Sequence, residues 1–140
     1  MPLWLFFVVL FVLMVLLFFM YPHPVRLEEW EQRGLAILSE AKLTDVPPFI
    51  IHEGHRRSML RPSSQATWVI YLVLKRGKKT FPDAVVYASL IHQLAHLTAH
   101  STTHTTTFYT HLDSLTAAAK RLHLYDPFTM MPDPTYPPII

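Results

Sequence analysis

Leu3 to Met20 is a run of eighteen apolar residues without a charge, and Tyr21 extends it. As a helix, at 1.5 Å per residue, the run is about 27 Å long, close to the roughly 30 Å core of a bilayer. Trp4 and Tyr21 sit near its two ends, where aromatic side chains favour the membrane interface. Two other structures accept such a run: a buried core helix and a cleaved signal peptide. A signal peptide would show a basic start, a shorter apolar stretch and small residues before the cut. Met1-Pro2 has no side-chain charge, and Tyr21-Pro22-His23-Pro24 is a poor cleavage site. The sequence therefore predicts a retained transmembrane helix over residues 1–21. No Lys or Arg precedes it, whereas Arg26, Arg33 and Lys42 follow. The positive-inside bias then puts the rest of the chain on the cytoplasmic side.

Outside that run the composition is ordinary, with roughly 43% apolar residues, as in a small soluble domain. Other counts exclude whole classes of function. The three glycines, Gly34, Gly54 and Gly77, are scattered, which excludes a phosphate-binding P-loop and a dinucleotide-binding turn. The absence of cysteine excludes disulfides, a thiol nucleophile and any Cys-ligated zinc or iron–sulfur site. A formal charge of +2 is too small to argue for nucleic acid. Nine histidines are the unusual count.

After a stiff exit at Pro22 and Pro24, Leu27–Leu43 reads as an amphipathic helix with Leu27, Trp30, Leu35, Leu38 and Ala41 along one side. Glu28, Glu29 and Glu31 fall in its first turns, where negative charge suits the helix dipole. Val46-Pro47-Pro48 ends it, Phe49–His52 can form a short strand, and residues 53–65 read as a loop. Ala66–Leu74 is the clearest strand, a nine-residue β-branched and aromatic run. Lys75–Lys79 is a charged turn. A second helix opens at Thr80-Phe81-Pro82-Asp83, which approximates a capping box with Pro in the first turn, and runs to about Leu97. A third, from about Thr105 to Leu122, places Phe108, Leu112, Leu115, Ala119 and Leu122 at helical spacing. Five prolines from Asp126 onward predict an irregular tail.

His92-Gln93-Leu94-Ala95-His96 lies within the second helix. Histidines four residues apart project from one face and can grip one metal ion. His104, delivered by the turn after that pair, is positioned to be a third ligand, leaving tetrahedral zinc one position for water. The bland alternative is that His92, His96, His100 and His104, recurring every four residues, form a stripe on a polar helix. His100 and His111 are solvated under either reading.

The stretch from about Trp68 to Pro127 resembles the WLM and SprT-like zinc metallopeptidases, especially the short membrane-anchored relatives of large DNA viruses. The resemblance rests on the hydrophobic strand, the charged turn, and Phe81-Pro82-Asp83 opening a helix that contains Leu90-Ile91-His92-Gln93-Leu94-Ala95-His96. It continues with His104, then Phe108 four residues later, and closes on Leu122-His123-Leu124-Tyr125-Asp126-Pro127. The resemblance implies an α+β fold, a short antiparallel sheet packed on the HxxxH helix and a C-terminal helix. It also implies Zn²⁺ held by His92, His96 and His104. The chain then divides into the transmembrane helix 1–21, a juxtamembrane helix and linker 22–48, a zincin-like domain 49–126 and a Pro-rich tail 127–140.

One departure outweighs these matches. The family's HExxH carries a Glu that takes a proton from zinc-bound water and returns it to the leaving amine. Here that position is Gln93, and an amide cannot take the proton. Loss of such help slows a reaction by about 100- to 10,000-fold. The expected protein is a zinc-binding pseudo-peptidase. A relocated base would make it an active peptidase, and Glu53, in His52-Glu53-Gly54-His55, is the least implausible candidate, ahead of Asp83 and Asp113. A metal-free membrane or interaction protein is the third possibility. The expected partners are the lipid bilayer and an extended peptide added along an exposed edge of Ala66–Leu74. Arg56, Arg57 and Arg61, and the group Lys75, Arg76, Lys78 and Lys79, read by default as solvated, with anionic lipid as an alternative partner. A membrane anchor argues against nucleic acid.

Overall fold

The computed structural model describes residues 2–20, 27–63, 65–128 and 133–140. Tyr21, the Pro22–Pro24 exit and Arg26 lie outside them. The first element, α1 (Leu3–Met20), is a helix of mean hydropathy 3.1, long and apolar enough to cross a membrane. None of its residues is buried, so it contributes nothing to the core of the body.

In α2 (Leu27–Glu40) the buried residues Trp30, Gly34, Ile37 and Leu38 recur at helical spacing. Glu28 and Glu29 lie in its first turn. Lys42 (φ 56°) turns the chain at its far end, where the Leu43 amide donates back to the Leu38 carbonyl. Although expected in a juxtamembrane segment, α2 belongs to the body. Arg33 lies over the Trp30 ring at 4.7 Å and bonds both Glu29 and Asp83, which ties α2 to the start of the next helix.

The main sheet has three strands, β1 (Phe49–Gly54), β2 (Met59–Pro62) and β3 (Trp68–Val73), in the order β1-β3-β2. β1 runs parallel to β3, with Ile51 opposite Ile70, while β2 runs antiparallel to it, with Leu60 opposite Ile70. The expectation of an antiparallel sheet is therefore corrected to a mixed one. Strand direction depends on how the chain returns, and hydropathy carries no trace of that. β3 takes the centre because it is the most apolar strand, with Val69, Ile70, Leu72 and Val73 all buried. It is bonded on both sides, so the expected free edge for a peptide along residues 66–74 does not exist. The missing neighbour is β2, four residues that had read as loop. A two-stranded ribbon, β4 (Lys75–Arg76) and β5 (Lys79–Thr80), follows, turning at Gly77, whose φ of +61° suits glycine.

α3 (Asp83–Thr98) is buried at twelve of its sixteen residues and forms the centre of the body. It packs on β2 and β3, with α2 and α4 (Thr106–Arg121) beside it. Its N-cap is Pro82, without a side-chain hydrogen bond, and Thr80 lies in β5. The expected capping box is thus absent, because the chain leaves the ribbon through Phe81 and Pro82 before the helix starts. Ile37, Ile70, Leu72, Leu90, Leu94, Phe108 and Leu115 make the shared core. Among the described residues the architecture is α+β, four helices and a small sheet.

Residues 133–140 of the tail also pack on the body. Tyr136 sets its ring edge-on to Phe81 at 4.8 Å and donates its hydroxyl to the Val73 carbonyl at 2.8 Å. The Ser58 amide donates to Pro138 and the Ile140 amide to Ser58, a one-residue bridge to Ile139 just before β2.

Candidate metal centre

α3 carries His92 and His96 one turn apart, the first half-buried and the second 2% exposed. His104 comes from the connection to α4. That connection is fixed at both ends. His100 (φ 51°) closes α3, with the Ser101 amide donating to the His96 carbonyl. At the other end Thr105 caps α4, its side chain accepting from the Phe108 amide. His104, next to that cap, is therefore held over the α3 pair.

The three rings meet. His92 Nε2 lies 3.2 Å from His96 Nε2 and 3.3 Å from His104 Nε2. All three ligand nitrogens fall within 4.8 Å of one another. Ligands at tetrahedral zinc, about 2.0–2.1 Å from the ion, stand roughly 3.3 Å apart, so two separations already match. The third closes by a small movement of His104, which is exposed. Beneath them Phe108, 1% exposed, touches every ring, with centroids 5.0 Å from His92, 4.3 Å from His96 and 4.7 Å from His104. These three histidines can hold a metal ion.

Proton counting favours a cation at that point. His96 Nδ1 lies 2.9 Å from the Ser101 carbonyl, which can only accept, so Nδ1 carries the hydrogen and Nε2 is a bare lone pair. His92 Nε2 now faces two nitrogens. If it is protonated, it donates to His96 but cannot accept from His104. If it is bare, it opposes the lone pair of His96. A single proton cannot serve both short contacts as well-aligned hydrogen bonds, whereas a shared cation satisfies all three lone pairs. The Ser101 carbonyl is the kind of outer partner that orients a ligating imidazole.

The electrostatics agree with that reading. Burial pushes the His92 imidazole down to about 4, helped by the neighbouring His96 and His104. His96 is also lowered, chiefly by burial, with the Ser101 carbonyl opposing the shift. Both are neutral at physiological pH, the form that binds metal.

Gln93 is fully buried, and among the described residues the hydrogen bonds of its amide go to the backbone of two other segments. Its Nε2 donates to the Ser58 carbonyl at 3.1 Å and to the Ile140 carbonyl at 3.0 Å. Oε1 has no hydrogen-bond partner among the described residues. The reversed amide would set an oxygen against two carbonyls, so the donor pattern fixes its orientation.

The other candidates lie elsewhere. Glu53 lines a pocket with His55, Arg56, Arg57, Arg61 and Tyr71, and none of the three clustered histidines reaches it. Asp83 is bonded to Arg33, and Asp113 is exposed. Among the described residues no carboxylate belongs to the histidine cluster. His100 is exposed, 3.4 Å from Asp45. His111, expected to be solvated, is half-buried and bonds Thr98 at 2.9 Å, linking α4 to α3. His52 sets its ring against Tyr71 on the outer face of the sheet. In the second basic group, Lys79 lies 4.0 Å from Asp133 and Arg76 donates to the Thr135 carbonyl, so both hold the tail. A cleft of about 300 Å³, lined by Leu60, Trp68, His96, His100 and Ser101, opens between β2 and the α3–α4 connection.

Sequence reasoning missed the Ser101 carbonyl and the partners of Gln93. The latter come from 35 and 47 residues away, and no local pattern announces them. No protein-family model, curated protein or solved structure matches the chain.

Proposed function

We propose that this chain is a membrane-anchored zinc-binding protein with the metal site of a metallopeptidase and without its general base, acting by binding rather than hydrolysis. The observation that carries the metal part is the meeting of three Nε2 atoms around one point, with His96 already oriented by Ser101. Three neutral imidazoles suit zinc, and a fourth position would stay open. Bound there, zinc would act as a Lewis acid and lower the pKa of a coordinated water.

The protein's own groups do the rest. His92, His96 and His104 hold the ion, and Phe108 supports their rings. Taking a proton from the bound water falls to no described residue, because Gln93 is an amide already committed to two carbonyls. The cleft beside His96 is the place for an extended peptide, along the edge of β2. α1 anchors the body in a bilayer, and the basic residues that follow it put the body on the cytoplasmic face. The family assignment is that of the WLM and SprT-like peptidases, supported by His92, His96, His104 and Phe108 at their spacing.

Thermal unfolding with and without zinc tests the reading. At about 100-fold excess over Kd, zinc stabilises the folded body by about 2.7 kcal/mol, a rise of several degrees in the midpoint. His96→Ala shows no rise, and the zinc-loaded wild type cleaves peptides at the background rate. A rise that survives in His96→Ala would remove the triad from the account, and rapid zinc-dependent cleavage would remove the pseudo-enzyme.

A further inference from the structure

Gln93 explains itself on grounds that have nothing to do with metal. Its amide presents two N–H groups, and two carbonyl oxygens converge on them, one from Ser58 and one from Ile140. A carboxylate at this position could donate to neither and would repel both. The amide is therefore a clasp for a strand. Ser58 provides the other half. It is fully buried, and its amide and carbonyl bond Pro138 and Ile140. Its hydroxyl accepts from the Val73 amide and lies 3.1 Å from the Tyr136 hydroxyl.

The segment itself is suited to such a slot. Of its backbone groups the slot uses the Pro138 carbonyl and both the N–H and carbonyl of Ile140. Pro137 and Pro138 thus sit where no N–H is required, and their fixed φ keeps the strand extended at little entropic cost. The side-chain anchor is Tyr136, against Phe81 and under the Val73 carbonyl. This is a single parallel bridge at the residue before β2, with one phenol providing specificity.

We propose that Ser58, Val73, Phe81 and Gln93 form a binding slot for an extended peptide with tyrosine four residues ahead of an apolar residue, filled in this structure by Tyr136–Ile140. The slot exchanges its occupant: when the chain's own segment is loosened, a free peptide of the same sequence takes its place. This does not depend on zinc, and its failure would leave the metal site untouched.

Amide hydrogen exchange on the full chain in detergent micelles tests it. Gln93→Met keeps the side-chain length and removes both donors. Exchange at the Ser58 and Ile140 amides then rises about 10- to 30-fold, as expected for two lost hydrogen bonds, while Leu94 and Leu97 in α3 are unchanged. Gln93→Glu raises it further. In Tyr136→Ala, adding the free peptide Thr-Tyr-Pro-Pro-Ile-Ile restores slow exchange at Ser58, and adding Gln93→Glu to that variant abolishes the restoration. If Tyr136→Ala unfolds, seen as fast exchange at Leu94 and Leu97, Tyr136→Phe replaces it, since it loses only the hydroxyl. Unchanged exchange at Ser58 and Ile140 in Gln93→Met overturns the clasp. A peptide that protects neither variant, or both equally, overturns the exchangeable slot.

Discussion

Phe108→Leu separates the packing of this body from the geometry of the proposed metal site. Phe108 is 1% exposed and lies 4.3–5.0 Å, centre to centre, from all three imidazoles. The His96 and His104 rings stack on it at 29° and 25°, so a flat surface sets their tilt. Leucine keeps the apolar character and much of the volume, so the repacking itself costs less than about 1.5 kcal/mol. It removes the stacking face, and each such ring pair contributes about 0.5–1.5 kcal/mol beyond area burial. Groups that orient ligands in this way change metal affinity by about 10- to 100-fold. The body starting at residue 25 suits the assay, because no residue of α1 is buried. Urea unfolding of the metal-free form gives the stability change, and titration against a competing chelator at neutral pH gives the affinity. A variant at least about tenfold weaker for zinc, yet folded, is the expected result. Wild-type affinity in a folded Phe108→Leu protein would refute the idea that this ring positions the ligands.

Thr105→Ala removes the cap that accepts from the Phe108 amide, and urea unfolding should show a loss of about 1 kcal/mol, with weaker zinc binding because His104 adjoins the cap. The His92 imidazole, pushed down to about 4 from an ordinary 6.5, binds fewer protons in the folded body than in the unfolded chain. The metal-free body should therefore lose stability as pH falls from 6.5 toward 4, with no further loss from this group below 4, and His92→Phe should flatten that slope in pH-dependent urea unfolding. The full chain should stay with lipid vesicles through alkaline extraction, whereas the body starting at residue 25 should be released, as expected if the 18-residue apolar helix is a span.

Features set by local pattern were legible in the sequence. The apolar run marked α1, the helical spacing of Trp30 and Leu38 marked α2, and the interval between His92 and His96 put both on one face of α3. His104 was legible as well, because the residues after it begin a helix and fix where the connection ends. What escaped was set by pairing at a distance. Met59–Pro62 has no β-branched run and lies between arginines and serines, so it reads as loop until β3 claims it. The parallel direction of β1 follows from that insertion. Thr80 looked like a cap because its spacing to Asp83 was right, but the ribbon claimed it first. Gln93 was legible only as a missing carboxylate. That it donates to Ser58 and Ile140 depends on two segments far away in the chain, one of them in a tail whose prolines read as irregular.

The central claim is that three histidines hold one zinc ion, and the metal content of the body measures it directly. Purified in the presence of zinc and then dialysed, the wild type should retain one zinc per chain by native mass spectrometry. His92→Ala and His96→Ala should each retain none while staying folded, and His104→Ala should bind far more weakly. A wild-type body that returns from dialysis without metal, or an His96→Ala variant that keeps its zinc, would contradict the account.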